Sequence, residues 1–195
     1  MQSDHGIIAL YRPGYALPLM FEQRLRIDLF AFALGALCLL AVGFYAARNG
    51  PAVIMCALCL GGLVAARLAG FSNRALVPLA FGLVALLWFV WSASPDDARR
   101  TSTLAHFAGG GLAGWAIAEF LRRYTEGASL AIIAVAAVFA IAVTWELGEI
   151  FADRAFDTAL IPSKRDSALD IFFGTAGGIV GVGVAMLLAP APRRT

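Results

Sequence analysis

The sequence predicts an all-α membrane protein, a polytopic bundle of about six transmembrane helices, and three observations predict it. The chain is 61% hydrophobic and only 14% charged, with a mean hydropathy of +0.80. A soluble domain carries about 25% charged residues, so a chain this poor in charge lacks the polar surface to cover a water-facing core. Its apolar residues fall into six stretches near the roughly 20 residues that a helix needs to span a bilayer. Acids and a histidine inside those stretches are not scattered but gather at the ends of the last three. A length of 195 residues suits one membrane domain.

The first stretch runs from about Ile27 to Ala47 and stops at Arg48-Asn49-Gly50-Pro51, where Gly and Pro break a helix. The second covers about Pro51 to Ala69, and Phe71-Ser72-Asn73-Arg74 forms the turn to the third, Ala75 to Ser92. Ser94-Pro95-Asp96-Asp97 gives strong turn chemistry before the fourth, Thr103 to Phe120. The fifth begins near Ser129 and is apolar until Trp145. The sixth runs from about Ser167 to Leu188. Short links make neighbours antiparallel. No internal repeat is evident, although six helices divide naturally into two threes. The expected organisation is an interfacial N-terminal segment at 1–26, a transmembrane domain at 27–189 and a polar tail at 190–195.

Residues 1–26 do not follow the pattern of a cleavable signal, which starts basic and passes through a short apolar run to a small-residue cleavage site. Arg12, Arg24 and Arg26 stand there among Tyr11, Tyr15 and Phe21, a mixture suited to the headgroup layer. Cys56 and Cys59 form a CxxC, but it lies within a lipid-grade run with no second cysteine pair, so helix packing explains it better than metal or redox chemistry. A net charge of +2, with no basic run interleaved with aromatics, excludes a nucleic-acid partner. Membrane lipids are the partners expected. With an even number of spans, nine Lys and Arg gather on the side of the termini and six on the other, which favours cytoplasmic termini.

Ionisable groups within a spanning helix cost about 2.5–3.5 kcal/mol each on insertion scales, so they mark function more often than chance. Glu146, Glu149, Asp153 and Asp157 follow one another at steps of three, four and four, which places them on one stripe of the fifth helix. Asp157 lies beyond the apolar run and reads as a solvated charge. Asp166 and Asp170 open the sixth helix, with Gly174, Gly177 and Gly181 on the same stripe. His106 opens the fourth, followed by Gly110 and Gly114. Glycine stripes let membrane helices approach closely. Antiparallel threading brings the start of the fourth helix, the end of the fifth and the start of the sixth to one side of the membrane. The candidate site is therefore His106, Glu146, Glu149, Asp153, Asp166 and Asp170, open to that face. Asp166 can equally cap the sixth helix in Ser163-Lys164-Arg165-Asp166. Glu119, at the far end of the fourth helix, is expected to pair with Arg122 or Arg123.

Carboxylates crowded together need protons, arginines or a cation. Oxygen ligands with one imidazole suit Mg²⁺, Mn²⁺, Fe²⁺ or, less well, Zn²⁺. Arg99, Arg100, Arg154, Lys164 and Arg165 ring the same end, a setting for an anionic lipid phosphate.

The series His106, Trp145-Glu146-x-x-Glu149 and Asp166-x-x-x-Asp170-x-x-x-Gly174 resembles the YjdF-like proteins of bacterial inner membranes and, more distantly, the VanZ-like group. The resemblance spans Thr103 to Gly181. The chain departs from the VanZ-like pattern in having Ser102 and Thr103 where a charge precedes the histidine, and Asp170 in place of an asparagine. The resemblance implies a multi-helix fold in a bacterial inner membrane with a shared polar site, and no particular reaction. Three functions stay open on the residues. One is metal-dependent action on a lipid headgroup or lipid-linked phosphate, with Glu146, Glu149 and Asp170, together with His106, as the catalytic group that holds the ion and a spare carboxylate as base. The others are a non-catalytic subunit or scaffold and an ion-coupled transporter.

Overall fold

The computed structural model describes residues 16–156 and 164–188. These form six α-helices and one 3₁₀ turn, with no strand among them: α1 Ala16–Ala46, α2 Gly50–Leu68, α3 Asn73–Ser92, the turn Pro95–Asp97, α4 Ala98–Leu121, α5 Gly127–Phe156 and α6 Lys164–Leu187. The all-α bundle is therefore as the sequence predicts. The helices are longer than their apolar cores. Residues 16–26, expected in an interfacial lead-in, are the first turns of α1. α4 begins five residues before Thr103, and α5 continues to Phe156 through its acidic stripe. Backbone hydrogen bonding continues a helix past the end of its apolar run until a breaker stops it. Asp157, Ser163 and the 190–195 tail lie outside the described residues.

Five helices are long and apolar enough to cross a membrane, and α4 is the one that is not. Thr101-Ser102-Thr103, His106 and the glycines from 109 to 114 dilute its apolar content. It tolerates this because it is the hub of the second half of the bundle, in contact with α3, α5 and α6. α1, α2 and α3 pack on one another as a first triad, and α4, α5 and α6 as a second. Among the described residues the backbones of the two triads meet where α3 packs on α4. The first triad is held by an apolar core that includes Leu37, Cys56, Cys59, Leu63, Leu76 and Leu87, and Trp145 of α5 reaches across to pack against it. Cys56 and Cys59 are buried there as free thiols, as packing residues would be.

Cross-helix contacts fix the threading. Phe32 stacks on Phe81 at 6.2 Å and Phe44 meets Trp91 at 5.8 Å, so α1 and α3 run the same way. Gly82 faces Leu112 and Leu86 faces Gly109, so α3 and α4 run opposite ways. α4 and α6 run parallel. Along their seam a Cβ on Gly110 would fall on the Gly174 carbonyl and one on Gly114 on the Gly178 carbonyl. Equally, one on Gly177 would strike the Phe107 carbonyl and one on Gly181 the Gly111 carbonyl. The seam thus uses the glycines expected from the sequence together with Gly111 and Gly178, and it is backbone against backbone. In lipid, where apolar burial gives no preference for one helix partner over acyl chains, such close van der Waals contact is what joins helices.

The far end of α4 is tied down by two arginines. Arg122 pairs with Glu119 and donates to the Ala185 carbonyl near the end of α6. Arg123 donates from Nη2 to the Gly70 carbonyl at 2.6 Å. Its guanidinium lies 4.5 Å from the centre of the Phe120 ring, which stacks on Phe71 at 4.3 Å. Gly70 holds φ +87°, the left-handed geometry that glycine adopts without strain at a helix end. The expected pairing of Glu119 away from the candidate site is thus observed.

Gly110→Ala and Gly177→Ala are each expected to lower thermal stability by about 1–3 kcal/mol, the usual cost of overpacking. Gly61→Ala and Gly183→Ala, where a Cβ meets no atom within 4 Å, should be neutral. Thermal unfolding of the four variants in one detergent checks this contrast.

Candidate functional site

The α4–α6 seam carries two polar side chains one turn outward from its glycines. His106 lies four residues before Gly110, and Asp170 four before Gly174, so parallel packing at the glycines sets them side by side. His106 Nδ1 is 3.3 Å from Asp170 Oδ1. α5 passes the opposite way and supplies Glu146, whose Oε1 is 3.5 Å from His106 Nε2. The imidazole therefore bridges two carboxylates from two different helices. One ligand atom from each of His106, Glu146 and Asp170 lies within 4.8 Å of the other two.

Burial sharpens the chemistry. Glu146 is 3% exposed and Asp170 is 6% exposed, while the His106 side chain keeps 19% of its surface. Both oxygens of Glu146 are buried and accept no hydrogen bond. The 3.5 Å approach of Nε2 is a charge contact at the limit of distance rather than a formed hydrogen bond. Asp170 is better provided, since Ser102 Oγ donates to its Oδ2 at 3.4 Å. A buried carboxylate left without hydrogen bonds is costly, and it calls for a proton, a cation or a bound donor.

The six residues expected to form one site divide in the structure. His106, Glu146 and Asp170 converge. Glu149 sits one turn further along α5, where Oε1 accepts from Trp145 Nε1 at 2.9 Å. It borders the cluster without being one of the three converging residues. Asp153 and Asp166 are half-buried, each engaged in an interaction of its own, and neither belongs to the converging group. A shared helical stripe over two turns spans about 10 Å along the axis, too far for its members to meet at one point.

The site is also deeper and more closed than expected. At 1.5 Å per residue, His106, Glu146 and Asp170 stand about 12, 15 and 9 Å inside their helix ends, because all three helices run past their apolar limits. Of the three, His106 keeps the most exposed surface. Arg99, Arg100, Arg154 and Arg165 are exposed at the same end of the bundle. A separate cleft of about 650 Å³ at the α1–α2 turn is lined by Tyr45, Arg48, Asn49 and Ile54 among others, with no acid or imidazole, and takes no part in the cluster.

Ser102 belongs to the site although it was not among the candidates. Its hydroxyl is 3.4 Å from His106 Nδ1 as well as from Asp170, and its carbonyl oxygen is 3.0 Å from Nδ1. The signal was its position four residues before His106, on the same helical face. A serine is too common at such spacings to stand out. Trp145, whose indole donates to Glu149, carried a clearer one as the large aromatic directly before Glu146.

Compared with protein families, with curated proteins and with solved structures, the chain finds no match.

Removing the imidazole alone leaves two buried carboxylates facing one another. His106→Ala should therefore cost about 3–5 kcal/mol, the range for breaking a buried ion pair from one side. Combining it with Glu146→Gln and Asp170→Asn should recover much of that loss. Thermal unfolding of the single and triple variants would show it, and simply additive losses would contradict the electrostatic account.

Proposed function

We propose that the protein holds a divalent cation in the cluster of His106, Glu146 and Asp170, with His106 and Glu146 as its ligands and Asp170 braced against the ring, and acts with it on an anionic lipid headgroup or lipid-linked phosphate. The observation that carries this reading is Glu146, whose two oxygens are buried beside an imidazole without a hydrogen bond. A network that served only to join helices would satisfy its carboxylates, as Ser102 does for Asp170. An imidazole and a carboxylate, with a second carboxylate behind the ring, make a nitrogen and oxygen setting suited to Mg²⁺, Mn²⁺ or Fe²⁺, with Zn²⁺ less favoured.

A cation there would polarise a phosphoryl oxygen and make a bound water acidic. The chain's own residues supply the rest. Glu149, held by Trp145 one turn away, is the spare carboxylate that can receive the proton of an attacking water. Arg99, Arg100, Arg154 and Arg165, exposed at the same end, offer the charge that would draw in a phosphate and hold it. The excess of Arg and Lys on the side of the termini assigns those to the cytoplasm and the site to the extracytoplasmic face. The inner membrane of a bacterium, and kinship with YjdF-like and more distant VanZ-like proteins, rest on the motif resemblance.

A scaffold role is the second reading, favoured by one observation: the same side chains tie α4, α5 and α6 together in a largely buried cluster. An ion-coupled transporter fits less well, because transporters place their sites near the bilayer midplane, commonly at broken helices. Here the acids gather toward one end of unbroken ones.

Metal content by mass spectrometry decides among them. The detergent-purified protein should retain or take up close to one Mn²⁺, Fe²⁺ or Zn²⁺ per chain, and Glu146→Gln should lose it. Release of phosphate from anionic lipids should then depend on that metal and fall at least tenfold in Arg99→Gln/Arg165→Gln. Wild-type protein that stays metal-free after reconstitution with each ion in turn would sink the proposal in favour of the scaffold.

A further inference from the structure

His106 has two ring nitrogens, and its surroundings treat them differently. Nδ1 faces three oxygens: the Ser102 carbonyl at 3.0 Å, Asp170 Oδ1 at 3.3 Å and Ser102 Oγ at 3.4 Å. A carbonyl oxygen can only accept, so that contact requires a proton on Nδ1. Among the described residues Nε2 faces Glu146 Oε1, at 3.5 Å, and Glu146 has no hydrogen bond on either oxygen.

We infer that Ser102 and Asp170 are positioning residues that keep a proton on His106 Nδ1 and turn Nε2 toward Glu146 as the coordinating nitrogen. The assignment of Nε2 as metal ligand rests on the reading above. The hold on Nδ1 rests on the geometry alone. Metal-bound histidines characteristically donate their second N–H to a carboxylate or a backbone carbonyl, which fixes the ring and strengthens the ligating nitrogen. Here both kinds of acceptor are present on one nitrogen. Ser102 does double duty: its carbonyl takes the Nδ1 proton, and its hydroxyl donates to Asp170 Oδ2 at 3.4 Å, which holds that carboxylate beside the ring.

The arrangement depends on two helices. Ser102 is four residues before His106, so α4 itself aims carbonyl and hydroxyl at the ring. Asp170 arrives from α6, and its placement follows from the seam one turn below, where a Cβ on Gly174 would lie 3.7 Å from the His106 carbonyl. This separates the roles of the two carboxylates. Glu146, which faces Nε2 without a hydrogen bond, is the essential ligand. Asp170 works first through Nδ1, and its loss should weaken the metal rather than abolish it.

The chain contains two histidines, so a His5→Gln background leaves His106 as the sole source of ¹⁵N-histidine signals. In the metal-free protein Nδ1 should carry a hydrogen-bonded proton. With ¹¹³Cd²⁺ added, a one-bond coupling should appear at Nε2 only. Asp170→Asn should shift the Nδ1 resonance and weaken Cd²⁺ binding about 10–100-fold, with Ser102→Ala weaker in effect and Ser102→Thr close to wild type. Glu146→Gln should lose the coupling altogether. Cadmium coupled to Nδ1 would overturn the inference while leaving a metal site in place. An unprotonated Nδ1 in the metal-free protein would overturn it outright. Protein that binds no cadmium yet keeps the Nδ1 proton, lost or shifted in Asp170→Asn, would uphold the positioning role and remove the proposed metal function instead.

Discussion

The backbone contact between α4 and α6 is the constraint on which the rest of the structure depends. At four places along the seam a glycine on one helix lies against a main-chain carbonyl of the other, and no larger residue fits. Soluble proteins join helices by removing apolar surface from water. Lipid offers no such gain, so the seam relies on close van der Waals contact and needs residues without side chains. It also explains why α4, too polar and too glycine-rich to count as a spanning helix by composition, has a place in the bundle. Its glycines, which lower its hydropathy, are what α6 packs against.

The chemistry is a consequence of that seam. Because the two helices run parallel and lock at Gly110 against Gly174, the residues one turn outward on each, His106 and Asp170, are held side by side. α5 completes the cluster from the opposite direction. The result is an imidazole between two carboxylates, with the inner acids almost wholly buried. The two flanks are not equivalent. Asp170 belongs to a small network through Ser102, and Glu146 belongs to none. That inequality is why the proposed function rests on Glu146.

Much of this was legible in the residues. Hydropathy and breaker positions placed all six helices, and the carbonyl-facing glycines at 110, 114, 177 and 181 stood out by their spacing. His106, Glu146 and Asp170 were visible because charge inside an apolar run is expensive and therefore rare. The expected site was wider than the group that converges, since it also took in Glu149 and Asp153 from the α5 stripe and Asp166 from α6. Glu149 accepts from Trp145, and Glu149, Asp153 and Asp166 stand outside the converging group among the described residues, because successive turns move a side chain along the axis by more than a metal site is wide. Ser102 was passed over for the opposite reason: nothing about a serine four residues before a histidine is unusual until a third helix brings Asp170 to it.

By itself the sequence determined the solvent this chain folds in, the number and order of its helices, and that His106, Glu146 and Asp170 lie toward one end of the bundle. Those follow from composition and from periodicity along one helix at a time. Which polar residues meet, how deep they lie and which ring nitrogen faces which acid were decided only by the tertiary structure. They depend on the relative height and rotation of helices far apart in the chain. A shift of one residue along the α4–α6 seam changes both by about 1.5 Å and 100°, while leaving every local pattern in the sequence untouched.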